Sequence, residues 1–420
     1  MQSFKTLTLF VLLLATGFSY SQEEDQKEER VPGHYNNNPF KQLYEEFSTP
    51  NQYRSASGAP GPAYYQQQAD YVMDIELDDK NKKLTGYETI TYTNNSPDVL
   101  DYIWVQLDQN MRAKDSKSPL IVSSGAAPAD MAGNFVNQYM GEGFDGGFNI
   151  QSIKDNNGND LDYIINRTMM RIELPKSMNN GDKFVFSIRW WYNINNHVNG
   201  RGRSGYEEFE DGNRAYVIAQ FFPRMAVYSD VEGWQNSQFW GRDEFALVFG
   251  DYEVNITVPA DHILDGTGVL QNRKEVFSKE MMTRYDKAKK SYDEPVIIVT
   301  QDEADEASTS FDANKKTWKF KAKNVRDYAF ASSRRFIWDN WSTKLVASTL
   351  ETYSRMTFDY PYPKAISVHA KNQGMEYPMI CWNYGRPEKD GTYSERVKYG
   401  MFGVIIHEVG HNYFPMIINS

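Results

Sequence analysis

From about Tyr64 onward, apolar and polar residues change places at every second position. Tyr71, Met73, Ile75 and Leu77 alternate with Val72, Asp74 and Glu76. Phe184, Phe186, Ile188 and Trp190 repeat the pattern, and so do Tyr252, Val254, Ile256 and Val258, with Pro259 as a stop. Trp318 and Phe320 begin another such run. A period of two sends alternate side chains to opposite faces, which predicts half-buried strands. Asn94-Asn95-Ser96 and Asn156-Asn157-Gly158 provide turns between them. Many strands with few helices predict a large antiparallel β module over residues 63–333. Near Ser333 the pattern changes. Arg334 to Tyr360 reads as largely helical, anchored by Phe336, Ile337, Leu345, Leu350 and Tyr353. After Tyr360-Pro361-Tyr362-Pro363 come a strand at Ile366–His369, a strand carrying Glu376, and a helix over Val397–Phe414. Val397, Met401, Val404 and Ile405 fall at helical spacing. Ser394 is a candidate N-cap, although no Glu or Gln completes a capping box, and Pro415 is placed to stop the helix.

That helix carries the most specific chemistry in the chain, His407-Glu408-Val409-Gly410-His411. Positions i and i+4 lie one turn apart on one face, so both imidazoles can aim at one point. Zinc takes His nitrogen at about 2.0–2.1 Å in a tetrahedral site. Glu408 can reach a water at the ion without being a ligand, as the general base of an H-E-x-x-H arrangement. The competing reading is a buried helix with two incidental histidines. Only six histidines occur in the 420 residues, and two of them stand four apart around a glutamate. The metal reading is therefore the stronger. It is still half a site, because a catalytic zinc usually has three protein ligands, and no acidic residue follows His411.

Upstream stands Asn372-Gln373-Gly374-Met375-Glu376-Tyr377-Pro378-Met379-Ile380. With the helix motif, this segment resembles the aminopeptidase N family of gluzincin zinc peptidases, which includes leukotriene hydrolase. That family carries G-x-M-E-N about thirty residues before its H-E-x-x-H. Met375 and Glu376 match. Gln373 stands where the first glycine is usual, and Tyr377 replaces the asparagine, as in a bacterial branch with G-M-E-Y-P. The resemblance runs from about Tyr71 to Ser420 and takes in Gln220–Tyr228 and Asn324–Asp327.

The resemblance implies a secreted zinc aminopeptidase acting on peptides with free amino termini. His407 and His411 would hold zinc, and Glu408 would be the general base. Glu376 would bind the free α-amino group, while Gly374 and Met375 would offer backbone groups to substrate along an edge strand. Gln220 would enter the pocket for the first side chain. The fold implied is a saddle-like β amino-terminal domain followed, from residue 334 to 420, by the first part of an α/β thermolysin-like peptidase domain. The third ligand, a glutamate, would fall at about position 430, and the transition-state tyrosine further on. On that reading the chain is the first part of a longer enzyme and inactive by itself. Two other functions remain open: an endopeptidase of the same superfamily, and a non-catalytic module that recognises peptides or glycans.

Composition narrows this only a little. A balance of 45 basic against 56 acidic residues, with no basic stripe, argues against a nucleic-acid partner. Residues 1–21 read as a secretory signal, with Lys5, an apolar core from Leu7 to Ala15, and small residues at Ser19 and Ser21. An extracytoplasmic location follows, with the mature chain starting at Gln22. The apolar run is short for a bilayer span; an uncleaved anchor is the alternative. Residues 22–62 read as a flexible polar leader. Cys381 is the single cysteine and cannot form an internal disulfide. It is expected to be a buried small residue, with a metal or redox role as the alternative. The stretch Tyr139–Phe148 is expected to be a surface loop, with a groove lining as the alternative.

Overall fold

The structure is a computed structural model that describes residues 50–118, 144–198, 203–241, 246–291, 294–337, 341–371, 373–386, 392–414 and 416. The expected signal segment 1–21, most of the leader, residues 139–143, Asn372 and Pro415 lie outside these. The chain divides into two compact units, Met1–Ala63 and Tyr64–Ser420. In the first, Asn51 Oδ1 accepts from the backbone N–H groups of Tyr53 and Arg54, and Arg54 bridges to Pro60.

In the second unit, seven strands form the largest sheet. Their spatial order is Val269–Leu270, Lys315–Val325, Gly250–Pro259, Gln68–Asp78, Lys83–Thr93, Lys183–Asn193 and Asn149–Asp155. The alternation seen in the sequence is the alternation of burial. Tyr71, Met73, Ile75 and Leu77 are buried, whereas Val72, Asp74 and Glu76 are exposed. Phe186, Ile188, Trp190, Tyr252, Val254, Ile256, Val258, Trp318 and Phe320 join the same core. The run around Trp318 starts earlier than its apolar residues suggest, at Lys315.

The antiparallel expectation fails at one central seam. Gln68–Asp78 and Gly250–Pro259 pair in parallel, with Tyr71 beside Tyr252 and their rings stacked at 4.7 Å. A period of two determines which face a side chain takes, not the direction of the neighbouring strand. The long intervening chain supplies the crossover that a parallel pair requires.

Two four-stranded sheets and a small hairpin of Tyr228–Ser229 with Gly233–Trp234 accompany the large sheet. One four-stranded sheet has the order Arg224–Met225, Leu100–Gln106, Met169–Met178, Tyr163–Asn166; the other has Ile263–Gly266, Phe330–Ser333, Arg214–Ile218, Gly205–Glu208. Arg224 lies at the join, fully buried between Asp108 at 2.6 Å and Asp327 at 2.7 Å. Among the described residues, three short α-helices interrupt the β pattern, at Arg273–Val276, Lys279–Ala288 and Gln301–Ser310. The third has almost no apolar periodicity. It is started locally, by a capping box in which Thr300 and Glu303 satisfy each other's backbone N–H groups.

Beyond Ser333, the helix expected over Arg334–Tyr360 is confined to Trp341–Met356. Arg334 is held outside it by ion pairs to Asp79 at 2.7 Å and Asp261 at 2.8 Å. A three-stranded sheet follows, in the order Ile366–His369, Ile380–Asn383, Met375–Tyr377, and then the helix Glu395–Gly410. The first two of these strands are also parallel. A half-exposed ion pair ties this sheet to the β region: Arg386 grips the buried Glu207 through two hydrogen bonds, at 2.7 and 2.9 Å. Burial pushes the nearby His197 and His369 down to about 4, so both imidazoles are neutral at pH 7. No helix among the described residues is long and apolar enough to cross a membrane.

Candidate active site

The helix Glu395–Gly410 begins where Ser394 Oγ accepts the Val397 N–H at 3.3 Å. Only one stripe of it is covered: Ile405, Glu408, Val409 and Gly410 are buried, while Ile406 and His407 are exposed. Gly410 is small for a packing reason. A Cβ there would lie 2.7 Å from the Tyr353 hydroxyl, so glycine lets the helix Trp341–Met356 approach. Gly403 has open space instead, and close packing does not account for it.

Past Gly410 the chain turns, and His411 Nδ1–H donates to the Phe414 carbonyl at 2.8 Å. A carbonyl only accepts, so this bond assigns the proton to Nδ1 and leaves a lone pair on Nε2. That Nε2 lies 3.0 Å from Nε2 of His407. Two nitrogens on a tetrahedral zinc would be about 3.3 Å apart. The separation is close to the one a shared ion would require, and it is also that of a hydrogen bond between the two rings. A carboxylate oxygen of Glu408 joins the group, with all three donor atoms within 4.8 Å of one another. The donor set fits zinc as far as it goes: two imidazole nitrogens, one with its tautomer set by a carbonyl, and an adjacent carboxylate.

Glu376 arrives from a different element. Its strand, Met375–Tyr377, lies at the edge of the three-stranded sheet, with Glu376 opposite Cys381. Glu376 is buried to 7 % exposure. The strand lies against the histidine helix, and Gly374 shows how closely: a Cβ at that position would lie 2.7 Å from Glu408 Oε1 and 2.8 Å from Val404 Cγ2. A side chain at 374 would thus occupy the space taken by the Glu408 carboxylate. Cys381 is buried and free, as expected. Burial pushes its thiol up to about 12, and the negative charges of Glu408 and Glu376 add to that shift. A thiol so placed stays protonated and inert at neutral pH.

Gln220 sits in the β region, buried to 1 % exposure with a backbone φ of 52°. Neither its amide oxygen nor its amide nitrogen has a hydrogen-bond partner among the described residues. Its neighbour Ala219 belongs to the same buried cluster as Tyr377, Ile380 and Trp382 of the Glu376 hairpin. Its backbone carbonyl accepts from Gln109 Nε2 at 2.8 Å, and Gln109 Oε1 accepts from Arg112 at 2.8 Å. Sequence reading missed Gln109 and Arg112, and it missed Asn412, whose buried amide reaches the same hairpin. None of the three stands in a recognisable motif. A groove of about 620 Å³ on the face of the large sheet, lined by residues such as Glu76, Tyr87, Arg189 and Lys316, includes none of these residues.

No protein-family model matches this chain, and no curated protein matches it. Among solved structures, it is similar to an M1 zinc metallopeptidase from Deinococcus radiodurans, at 12 % identity and a TM-score of 0.43, over 86 % of this chain and 67 % of that one. A mutant of that enzyme bound to a Tyr-Ser-Ala substrate is similar at 11 % identity and a TM-score of 0.43, over 84 % of this chain and 66 % of the other. A two-domain M1 zinc metallopeptidase mutant bound to L-arginine stands at 11 % identity and the same TM-score. Likeness at this level assigns no activity to the chain.

Proposed function

We propose that this chain carries the core of a zinc aminopeptidase site, in which His407 and His411 hold the ion. Zinc bound there would polarise a scissile carbonyl and make water acidic enough to act as a nucleophile near neutral pH. Glu408 takes the proton of the attacking water and passes it to the leaving amine. Glu376 pairs with the free α-amino group of the peptide and sets the position of the bond to be cut. Gly374 and Met375 offer backbone groups to the extended substrate along the open edge of their sheet. Gln220, with an unpartnered amide, lines the pocket for the first side chain. A glutamate near position 430 would complete the metal site. The amino-terminal signal pattern adds an extracytoplasmic location to this reading.

The observation that carries the proposal is the contact between two elements that sequence spacing alone does not join. The hairpin bearing Glu376 lies against the helix bearing His407, Glu408 and His411, so closely that a Cβ at 374 would force the Glu408 carboxylate or Val404 to shift. An amine anchor beside a metal pair and a base is the arrangement an exopeptidase needs. The test uses the complete zinc-loaded protein. Glu408→Gln should abolish hydrolysis of aminoacyl anilides while zinc stays bound. Efficient cleavage of amino-terminally acetylated peptides by the wild type would remove Glu376 from its role and favour an endopeptidase.

A further inference from the structure

Building on that reading, we propose that Asn412 is a positioning residue that sets the separation between the amine anchor and the metal pair, by clamping one peptide unit jointly with Thr267. Asn412 directly follows His411 and is buried to 2 % exposure. Its side-chain oxygen accepts the backbone N–H of Met379 at 2.8 Å and the Tyr360 hydroxyl at 3.3 Å. Met379 is the second residue of the two-residue turn between the Glu376 strand and its partner, where Tyr377 pairs with Ile380. Its φ is 66°, which a non-glycine residue adopts only when its surroundings hold it. The same peptide unit is gripped at its other end. The Pro378 carbonyl accepts from Thr267 Oγ1 at 2.8 Å, and Thr267 is fully buried. Thr267 Oγ1 in turn accepts the Ala329 N–H at 3.2 Å, so this end is anchored in the β region.

The Pro378–Met379 peptide therefore has its N–H held by the residue after a metal ligand and its C=O held by the opposite wall. Glu376 is two residues from that peptide. A covalent and hydrogen-bonded route from the imidazole of His411 to the carboxylate of Glu376 passes through this clamp. In a site that counts residues from an amino terminus, the anchor-to-metal distance decides which bond meets the nucleophile. A displacement of about 1 Å costs roughly 100-fold in rate. The clamp thus serves specificity for the first peptide bond.

Four variants of the complete zinc-loaded protein test this: Asn412→Leu and Thr267→Val, which each remove one grip, and Asn412→Asp and Thr267→Ser, which keep it. The readouts are bound zinc and the ratio of kcat/KM for an aminoacyl anilide to that for its acetylated form. Asn412→Leu and Thr267→Val should lower the ratio about tenfold or more with zinc retained, and the conservative variants should restore it. Thr267 lies outside the metal helix, so Thr267→Val decides the matter if Asn412→Leu loses zinc. An unchanged ratio in zinc-bound Thr267→Val overturns the inference. A wild type with no preference for free amino termini overturns the aminopeptidase reading itself, and the two failures are distinct.

Discussion

Gly374 shows how much one missing side chain can matter. Its importance does not come from backbone freedom but from the volume a Cβ would take from the Glu408 carboxylate and Val404. Gly374→Ala should therefore displace the Glu408 carboxylate, the base of the proposed mechanism, without touching His407 or His411. We expect kcat to fall about 100-fold at unchanged zinc content, measured by steady-state kinetics beside elemental analysis. An alanine variant with full activity would show that Glu408 has room to spare. The other residues read from the sequence fare unevenly in how directly the structure joins them. His407, Glu408 and His411 bring their donor atoms within 4.8 Å of one another, and Glu376 lies on the strand that follows Gly374, which abuts Glu408 and Val404. Gln220 is linked to the hairpin only by its neighbour Ala219, which shares a buried cluster with it. The spacing of four was legible because a helix converts it into proximity by local geometry alone. Gln109, Arg112, Thr267 and Asn412 were not, because their roles exist only once distant segments pack.

The elements formed for different reasons, and this decided which were legible. Strands of the large sheet have one buried face, and their sequence repeats accordingly. The helix Gln301–Ser310 has little apolar surface to bury, with one buried residue, whereas Lys279–Ala288 lays Met281, Met282, Tyr285 and Ala288 against the core without fully burying any residue. Caps and the Arg284–Glu303 ion pair support them, and neither leaves a periodic mark. The histidine helix is an intermediate case. It carries three glycines, each costing about 1 kcal/mol relative to alanine, and its exposed face includes Tyr399 and Ile406. Its N-cap should matter in proportion. Ser394→Ala is expected to destabilise it by about 0.5–2 kcal/mol, read by denaturant unfolding of the complete protein and by faster amide exchange over residues 395–400. An unchanged exchange rate there would count against the cap.

At the scale of the molecule, the β region encloses charges that its apolar core does not require. Arg224 at least pairs with Asp108 and Asp327. Glu88 has no such pairing: it is fully buried, and neither carboxylate oxygen has a hydrogen-bond partner among the described residues. Burial raises its pKa well above the ordinary 4.5, with the Trp190 indole acting weakly the other way though outside hydrogen-bond geometry. The folded chain then holds a proton that the unfolded chain releases. Stability from this group is fully present below about 4.5 and is lost as pH rises toward the folded value. Glu88→Gln should raise stability at pH 8 by on the order of 1–2 kcal/mol, with the gain shrinking toward pH 4.5. Unfolding curves across that range measure it, and a gain independent of pH would rule out the ionisation as its source.

Hydrophobic alternation by itself determined which residues form the large sheet's core, because strand geometry assigns faces without reference to any neighbour. Helical spacing likewise determined that His407 and His411 converge. Strand direction was left to the tertiary structure, since the parallel seam between Gln68–Asp78 and Gly250–Pro259 depends on a crossover the pattern does not encode. So was the approach of the Glu376 hairpin to the histidine helix. That contact depends on van der Waals volume at Gly374 and on hydrogen bonds from Asn412 and Thr267, which only a folded chain brings within reach.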